Sequence, residues 1–197
     1  PDVHHASRVD DNGASRNIDL PYSKVNHLKV TTHQQYAWEK LILSGDLGFQ
    51  NNHREEWSAF HTHYDTQVMP AKDPDRELVF KLHTFSSSLK LRLFNSSSWE
   101  HMAGWNMQIQ KNAIGGYSFL LPEYKRFITG AFWLTTFRLD NQLSVTGGIR
   151  YDRGRIDITA FEDPYLVEYL HRQGYEEEVI QAYRWRSYPV DRAYGNY

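Results

Sequence analysis

The chain has 197 residues, 40% of them apolar and 15% aromatic, which is too rich for disorder and enough for one sizeable β domain or two small ones. With 22 basic and 24 acidic residues the formal net charge is −2, so there is no electrostatic footprint for nucleic acid, and the lack of cysteine excludes a disulfide framework, a thiolate nucleophile and a cysteine zinc site. No run approaches the roughly 18 consecutive apolar residues of a spanning helix, which leaves a soluble β protein or a membrane β-barrel, whose signal per strand is much weaker.

Residues 1–17 are polar, without a basic segment followed by an apolar one, so the chain is expected to be an interior piece or a mature product. His4 and His5 are read as native loop. Six long strands are then expected, at 25–38, 41–54, 78–94, 99–112, 126–139 and 142–157, each longer than the usual five or six residues. In the second, Leu41, Leu43, Leu47 and Phe49 alternate with Ser44, Asp46, Gly48, Gln50 and Asn52. In the sixth, Leu143, Val145, Gly147, Ile149 and Tyr151 alternate with Ser144, Thr146, Gly148, Arg150 and Asp152. Alternation gives each strand one apolar and one polar face.

The same reading sets Leu28, Val30, Tyr36 and Trp38 against His27, Lys29, Thr31 and His33. It sets Leu89, Leu91 and Leu93 against Ser88, Lys90 and Arg92, and Trp105, Met107 and Ile109 against Asn106, Gln108 and Gln110. The strand at 126–139 is apolar on both faces and is left without an orientation.

The connections alternate in length. Glu39-Lys40, residues 95–98 and Asp140-Asn141 suit tight turns, because Asn, Asp and Ser hydrogen-bond their own backbone. Residues 57–77, 115–125 and everything after Ile158 form longer polar breaks. Short and long connections in alternation, with Tyr36, Trp38, Phe94, Trp99 and Phe137 beside the short ones, fit the periplasmic turns, outer loops and aromatic girdle of an outer-membrane barrel. Aromatics also favour strands for packing reasons alone.

In the tail, Asp163 can cap a helix with Pro164 at its first position, Leu166, Tyr169 and Leu170 form an i, i+3, i+4 stripe, and Gly174 can end it. A second short helix near 176–184 carries Glu176 to Glu178 in its first turn, where the helix dipole favours negative charge. This pair, at 163–185, is read as an ordered outer loop, with a partner-docking hairpin as the other use.

Four ordered segments resemble the TonB-dependent receptors of bacterial outer membranes, especially those of Bacteroidetes-type organisms. They are Gly45-Asp46-Leu47-Gly48-Phe49-Gln50-Asn51-Asn52-His53-Arg54-Glu55-Glu56; Phe119-Leu120-Leu121-Pro122-Glu123-Tyr124 followed by Gly130-Ala131-Phe132; Leu143-Ser144-Val145-Thr146-Gly147-Gly148-Ile149-Arg150-Tyr151-Asp152; and the tail with Arg186-Ser187-Tyr188-Pro189-Val190-Asp191-Arg192. The resemblance spans most of residues 18–197. It implies a transporter whose barrel is filled by a plug domain and energised through TonB, taking up scarce large solutes such as ferric siderophores, haem, cobalamin or glycans. Its implied partners are outer-membrane lipid, the plug, the TonB complex and the solute. No plug or TonB box is recognisable in this stretch, and six strands do not close the roughly 22-stranded barrel of such transporters. The expected fold is therefore all-β: an antiparallel meander forming part of a transmembrane barrel, with two open sheet edges and a short helical hairpin.

Candidate ligand contacts on this reading are Arg54, His61, His63 and Tyr124, near the long loops, and the polar residues expected to face the lumen are Asp46, Gln50, Asn52, Lys90, Arg92, Arg150 and Asp152. His61 and His63 could share a metal only with further ligands and are read as exposed loop histidines, so neither a metal nor a cofactor is assigned. The Phe-Arg-Ala-Pro-type box of the haem receptors is not visible. No Gly-x-Ser-x-Gly, His-Glu-x-x-His or phosphate-cradling loop is present, and no enzyme is expected. Asp46, Glu100 and Asp152 with Lys90, Arg92 and Arg150 read as a hydrated network on strands rather than an acid–base site. Gly45, Gly48, Gly147 and Gly148 read as bends or close backbone approaches rather than a cofactor contact. The alternative to the barrel is a soluble extracellular β-sandwich or small barrel that binds a ligand. It requires Leu43, Leu47, Leu89, Leu91, Val145 and Ile149 to pack on one another as a core.

Overall fold

The computed structural model describes residues 18–62, 64–94, 98–139 and 143–195. The readings of residues 1–17, His63 and most of the second and third tight turns lie outside these residues. Six long strands run β1 (Tyr22–Trp38), β2 (Leu41–Trp57), β3 (Arg76–Phe94), β4 (Trp99–Gly115), β5 (Tyr124–Arg138) and β6 (Ser144–Ile158). They are followed by β7 (Phe161–Glu162), α1 (Pro164–Arg172), α2 (Glu177–Tyr183), β8 (Trp185–Ser187) and β9 (Val190–Gly195). The first six form an antiparallel meander, β9 adds to β6 as a seventh strand, and β7 and β8 pair separately. The protein is all-β with a short helical hairpin.

Each strand continues past its expected end on the long-loop side, so Trp57, Gly115 and Tyr124, read as loop or loop border, belong to strands. The tail is corrected more substantially. It does not stay a loop after Ile158, because Val190 to Gly195 return to pair with β6, Asp191 opposite Asp157 and Ala193 opposite Arg155. Arg155 clasps the Asp191 carboxylate through Nε at 2.8 Å.

The hairpin forms as its capping residues dictate. Asp163 accepts from the Tyr165 and Leu166 amides at 3.2 Å each, and Pro164 occupies the first turn, where its missing N–H has no partner to lose. Gly174 stands just past the helix end at φ +77, a conformation that strains any residue with a Cβ. Ile180 of α2 is 1% exposed, the most completely enclosed large side chain described.

One sheet with two outer edges has no second layer to pack on. Among the described residues Leu78, Val79 and Ile180 are the buried hydrophobics, whereas Leu47, Leu89, Val145 and Ile149 are exposed, Leu89 at 47% and Ile149 at 78%. The core required by a sandwich is not formed within these residues.

Candidate functional site

Cross-strand register decides which side chains share a face. One row runs Val30, Phe49, Phe85, Ile109, Phe127; another runs Trp38, Leu41, Leu93, His101, Thr135. Between them the same face carries Leu43, Leu47, Leu89, Leu91, Trp105, Ala131 and Trp133, and on β6 Val145, Ile149 and Tyr151. This face is a predominantly apolar band nine to eleven residues tall, interrupted by Thr32, Gln34, Ser87, Thr129 and Thr135 and bordered at the tight-turn end by Tyr36, Trp38, Trp99 and Phe137. Tyr36 stacks on Trp38 at 6.3 Å, and the Trp99 and Phe137 rings lie tilted against each other at 4.6 Å between centroids. Phe94, expected with this group, points to the other face, since its register partner is Glu100.

The band is inclined to the strands. On β1 it spans Leu28 to Trp38, whose rows end on β6 at Asp157 and Gly147 and so centre on Asp152. On β6 it spans Leu143 to Tyr151 and centres on Gly147, five residues away after five strand steps. Averaged between the two end strands this is one residue per step, most of it gained from β5 to β6, and with a rise of about 3.3 Å and a spacing of about 4.8 Å it corresponds to a mean tilt of about 35°. Eight to ten rises at that tilt give a height of roughly 22–27 Å. Transmembrane barrels have strands tilted by ≈ 35–45° and an outward apolar band of ≈ 25 Å.

The opposite face is polar at the same height. His33, Asp46, Ser88, Asn106, Gly130 and Asp152 form one cross-strand row level with Leu47, Leu89 and Trp105. Asp46 accepts from Ser88 Oγ at 2.8 Å and meets His33 Nδ1 at 2.7 Å, while Arg150 reaches both Asp152 oxygens at 2.6 and 2.7 Å. Arg92 and Arg138 grip Glu100 from either side at 3.1 and 2.8 Å. All seven residues expected on the lumen face, Asp46, Gln50, Asn52, Lys90, Arg92, Arg150 and Asp152, share this face by register. His33, Asp46, Ser86, Ser88, Asn106 and Gln108 line a trough of about 490 Å³ on it. Burial is inverted relative to a soluble sheet: polar-face Thr84 and Asn112 are each 6% exposed, while Trp105 on the apolar face is 41% exposed.

The strand that could not be oriented is now placed. Phe127, Ala131, Trp133 and Phe137 join the apolar face, and Phe132 and Leu134 stand on the polar one, covering Gly104 and Gly148 so closely that a Cβ at either glycine would overlap them. The two apolar residues fill the space left by absent side chains on the neighbouring strands.

At the long-loop end the three loops pack into one body. Thr66 Oγ1 donates to the Tyr165 carbonyl at 2.7 Å, Gln67 Nε2 to the Tyr117 carbonyl at 3.1 Å, and the Phe119 and Phe161 rings stack at 4.5 Å. Arg186 donates to Asp163 at 3.2 Å and to the Tyr64 hydroxyl, and lies over the Tyr64 ring at 5.7 Å. These loops enclose a cleft of about 880 Å³ walled by Tyr64, Tyr117, Phe119, Phe161, Asp163 and Arg186. Burial raises the Tyr64 phenol above its ordinary value and Asp163 adds to this, against the opposing pull of Arg186.

No family model matches this chain, and no curated protein or solved structure matches it.

Of the four expected ligand contacts, the three among the described residues, Arg54, His61 and Tyr124, do not converge. His61 borders the cleft through Tyr117, whose hydroxyl lies 3.4 Å from its Nδ1, and its Nε2 is 3.9 Å from Glu77. Arg54 stays on the strand wall, ion-paired to Glu56 at 2.6 Å, and Tyr124 opens β5 opposite Asn112 on the polar face. His63 lies outside the described residues. Among the described residues no group of three His, Asp or Glu is placed to hold a metal. The residues that do line the cleft, Tyr64, Gln67, Tyr117, Phe119 and Phe161, carried no local signal beyond a scatter of aromatics in polar loops. Chemically the cleft offers flat aromatic walls with one guanidinium and one carboxylate, which suits a polar solute with apolar surface.

Proposed function

We propose that this chain is part of the wall and outer loops of an outer-membrane β-barrel, the receptor portion of a TonB-energised system for uptake of a scarce large solute such as a ferric siderophore, haem, cobalamin or glycan. The carrying observation is the apolar band: one face of an open sheet, about 25 Å tall, inclined as barrel strands incline in a bilayer, and uncovered by any other described part of the chain. In water such a face is a liability; against lipid tails it is the stable arrangement. The charged row at mid-height on the other face then looks into a lumen, where water or a plug domain of the same receptor satisfies it. An Arg or Lys facing lipid there costs about 2–4 kcal/mol.

The solute meets the loop cleft first, at the end remote from the tight turns. Arg54, Tyr124 and the polar row below it line the descent, and TonB acts on parts of the receptor outside this stretch. The resemblance of the four segments to TonB-dependent receptors supports the same reading. Binding and passage, not bond-making, are the work of these residues.

The test is site-directed nitroxide labelling of the intact protein in membranes, with single cysteines in a cysteine-free background. Labels at Leu89→Cys and Val145→Cys should collide mainly with dissolved oxygen, which concentrates in lipid, and those at Ser88→Cys and Thr146→Cys mainly with a water-soluble nickel complex. Equal aqueous access on both faces would overturn the proposal.

A further inference from the structure

The apolar face ends differently at its two edges. At the tight-turn edge Trp38, Leu41, Leu93, Trp99, Phe137 and Val145 are its last strand residues, and no Lys or Arg among the described strand residues of that face lies near them. At the loop edge, directly above Phe85, Ile109 and Phe127, His83, Lys111 and Lys125 stand side by side in one cross-strand row. Lys81 is one same-face step higher on β3; on β6 the row continues at Asp157, with Arg155 and Arg153 one and two same-face steps below it. All six side chains are exposed.

Lys111 and Lys125 are direct register partners, which places their Cβ atoms about 4.5–5.5 Å apart, and like charges so opposed destabilise a sheet. The acids of this face do not neutralise them. Glu55 is 9% exposed, accepts from the Trp57 indole at 3.0 Å and lies 3.2 Å from His53 Nε2, and Asp191 is held by Arg155. Asp157 stands opposite Lys125 in register without forming an ion pair. Lys81, Lys111, Lys125 and Arg153 have no ion-pair partner among the described residues.

We infer that this cluster binds the phosphate groups of membrane-lipid headgroups in the leaflet at the loop end, with the acyl chains lying down the apolar band along Phe85, Ile109 and Phe127. The inference rests on the reading of that band as lipid-facing and adds a specific partner on the outward surface. Its chemistry is that of basic residues at a membrane border: cations at headgroup depth attract anionic lipid, and the attraction is short-ranged in salt. A phosphate between two opposed lysines removes the repulsion that their register creates.

The experiment compares spin-labelled phosphatidic acid with spin-labelled phosphatidylcholine around the intact protein in phosphatidylcholine vesicles. Both lipids should show a motionally restricted population, with phosphatidic acid enriched in it, and in the triple variant Lys81→Gln/Lys111→Gln/Lys125→Gln the enrichment should fall by about fivefold or more. Lys29→Gln, on the other face, should leave it unchanged, and millimolar inorganic phosphate should not abolish it. Enrichment that the triple variant retains overturns the lipid-phosphate site while the band reading stands. Loss of enrichment to inorganic phosphate assigns the cluster to free phosphate and overturns it too. Absence of any restricted phosphatidylcholine overturns the band reading, and this inference with it.

Discussion

An arginine moved along the apolar face of β3 reads out what covers that face. Phe85, Leu89 and Leu93 share it, spaced four residues apart, with Leu89 at the centre of the band and the other two at its edges. Four residues are about 13 Å of strand, which at a tilt of about 35° is roughly 11 Å along the membrane normal. An arginine at bilayer mid-depth costs about 2–4 kcal/mol and one near either interface about 0–1. Leu89→Arg should therefore destabilise the protein by about 2–4 kcal/mol and Phe85→Arg and Leu93→Arg by clearly less, a peaked profile. The measurement is the guanidinium unfolding midpoint of the intact protein folded in lipid vesicles, with Ser88→Arg on the polar face as the small-effect reference. A profile flat near zero would mean that water covers the face. A profile flat at several kcal/mol would mean that a second protein layer covers it, because a dry core penalises charge at every level. Either flat profile refutes the membrane assignment.

Three further outcomes follow from individual contacts. Gly104→Val should destabilise by about 1–3 kcal/mol, because its side chain enters the space held by the Phe132 ring, and Phe132→Ala in the same protein should recover part of that loss in a double-mutant cycle of unfolding free energies. Asp163→Ala removes the cap of α1 and the partner of Arg186, and should raise amide exchange through α1 by an amount equivalent to about 1 kcal/mol while leaving β1 to β4 unchanged. Tyr64 has a raised phenol pKa, so its protonated form is favoured in the folded loops: its contribution to loop packing is fully present below the ordinary tyrosine value of about 10 and is lost as pH rises through the folded value. An alkaline difference spectrum should accordingly lose a late-titrating tyrosine in Tyr64→Phe.

The meander was legible because it is written in local alternation. A period of two over fifteen or more residues fixes both the strand and its faces, and three tight turns with three long breaks fix the neighbour order. Where alternation failed, the cause was a neighbour rather than the strand itself. Phe132 and Leu134 make 126–139 look apolar throughout, yet each fills the place of a side chain missing at Gly104 or Gly148, and that relation is set by register between strands. β9 escaped notice for a related reason: Val190 to Gly195 carry Asp191 and Arg192 and no apolar period, and are held extended by β6 and by the Arg155–Asp191 pair.

The site was harder to read than the sheet, for a reason that also bears on how the cleft could work. Tyr64 and Arg186 are separated by 122 positions and Thr66 and Tyr165 by 99, so the cleft exists only when the first long loop and the helical hairpin are closed on each other. The strands below hold the loop ends at fixed spacings through continuous ladders, whereas the loops are joined to one another by a few side-chain bonds, each worth about 0.5–1.5 kcal/mol net. Opening the cleft therefore disturbs far less than opening the wall. A solute that bridges Tyr64, Tyr117 and Arg186 would add its binding energy to the closed arrangement of the loops, and Arg186→Ala, which removes both the Tyr64 and the Asp163 contacts, should loosen the cleft without moving the sheet. Amide exchange in residues 64–69 and 164–172 should then rise together, because the two segments share the contacts being lost. If only the hairpin were to respond, the first loop would be held by the wall rather than by its partner, and the cleft would not be a coupled unit.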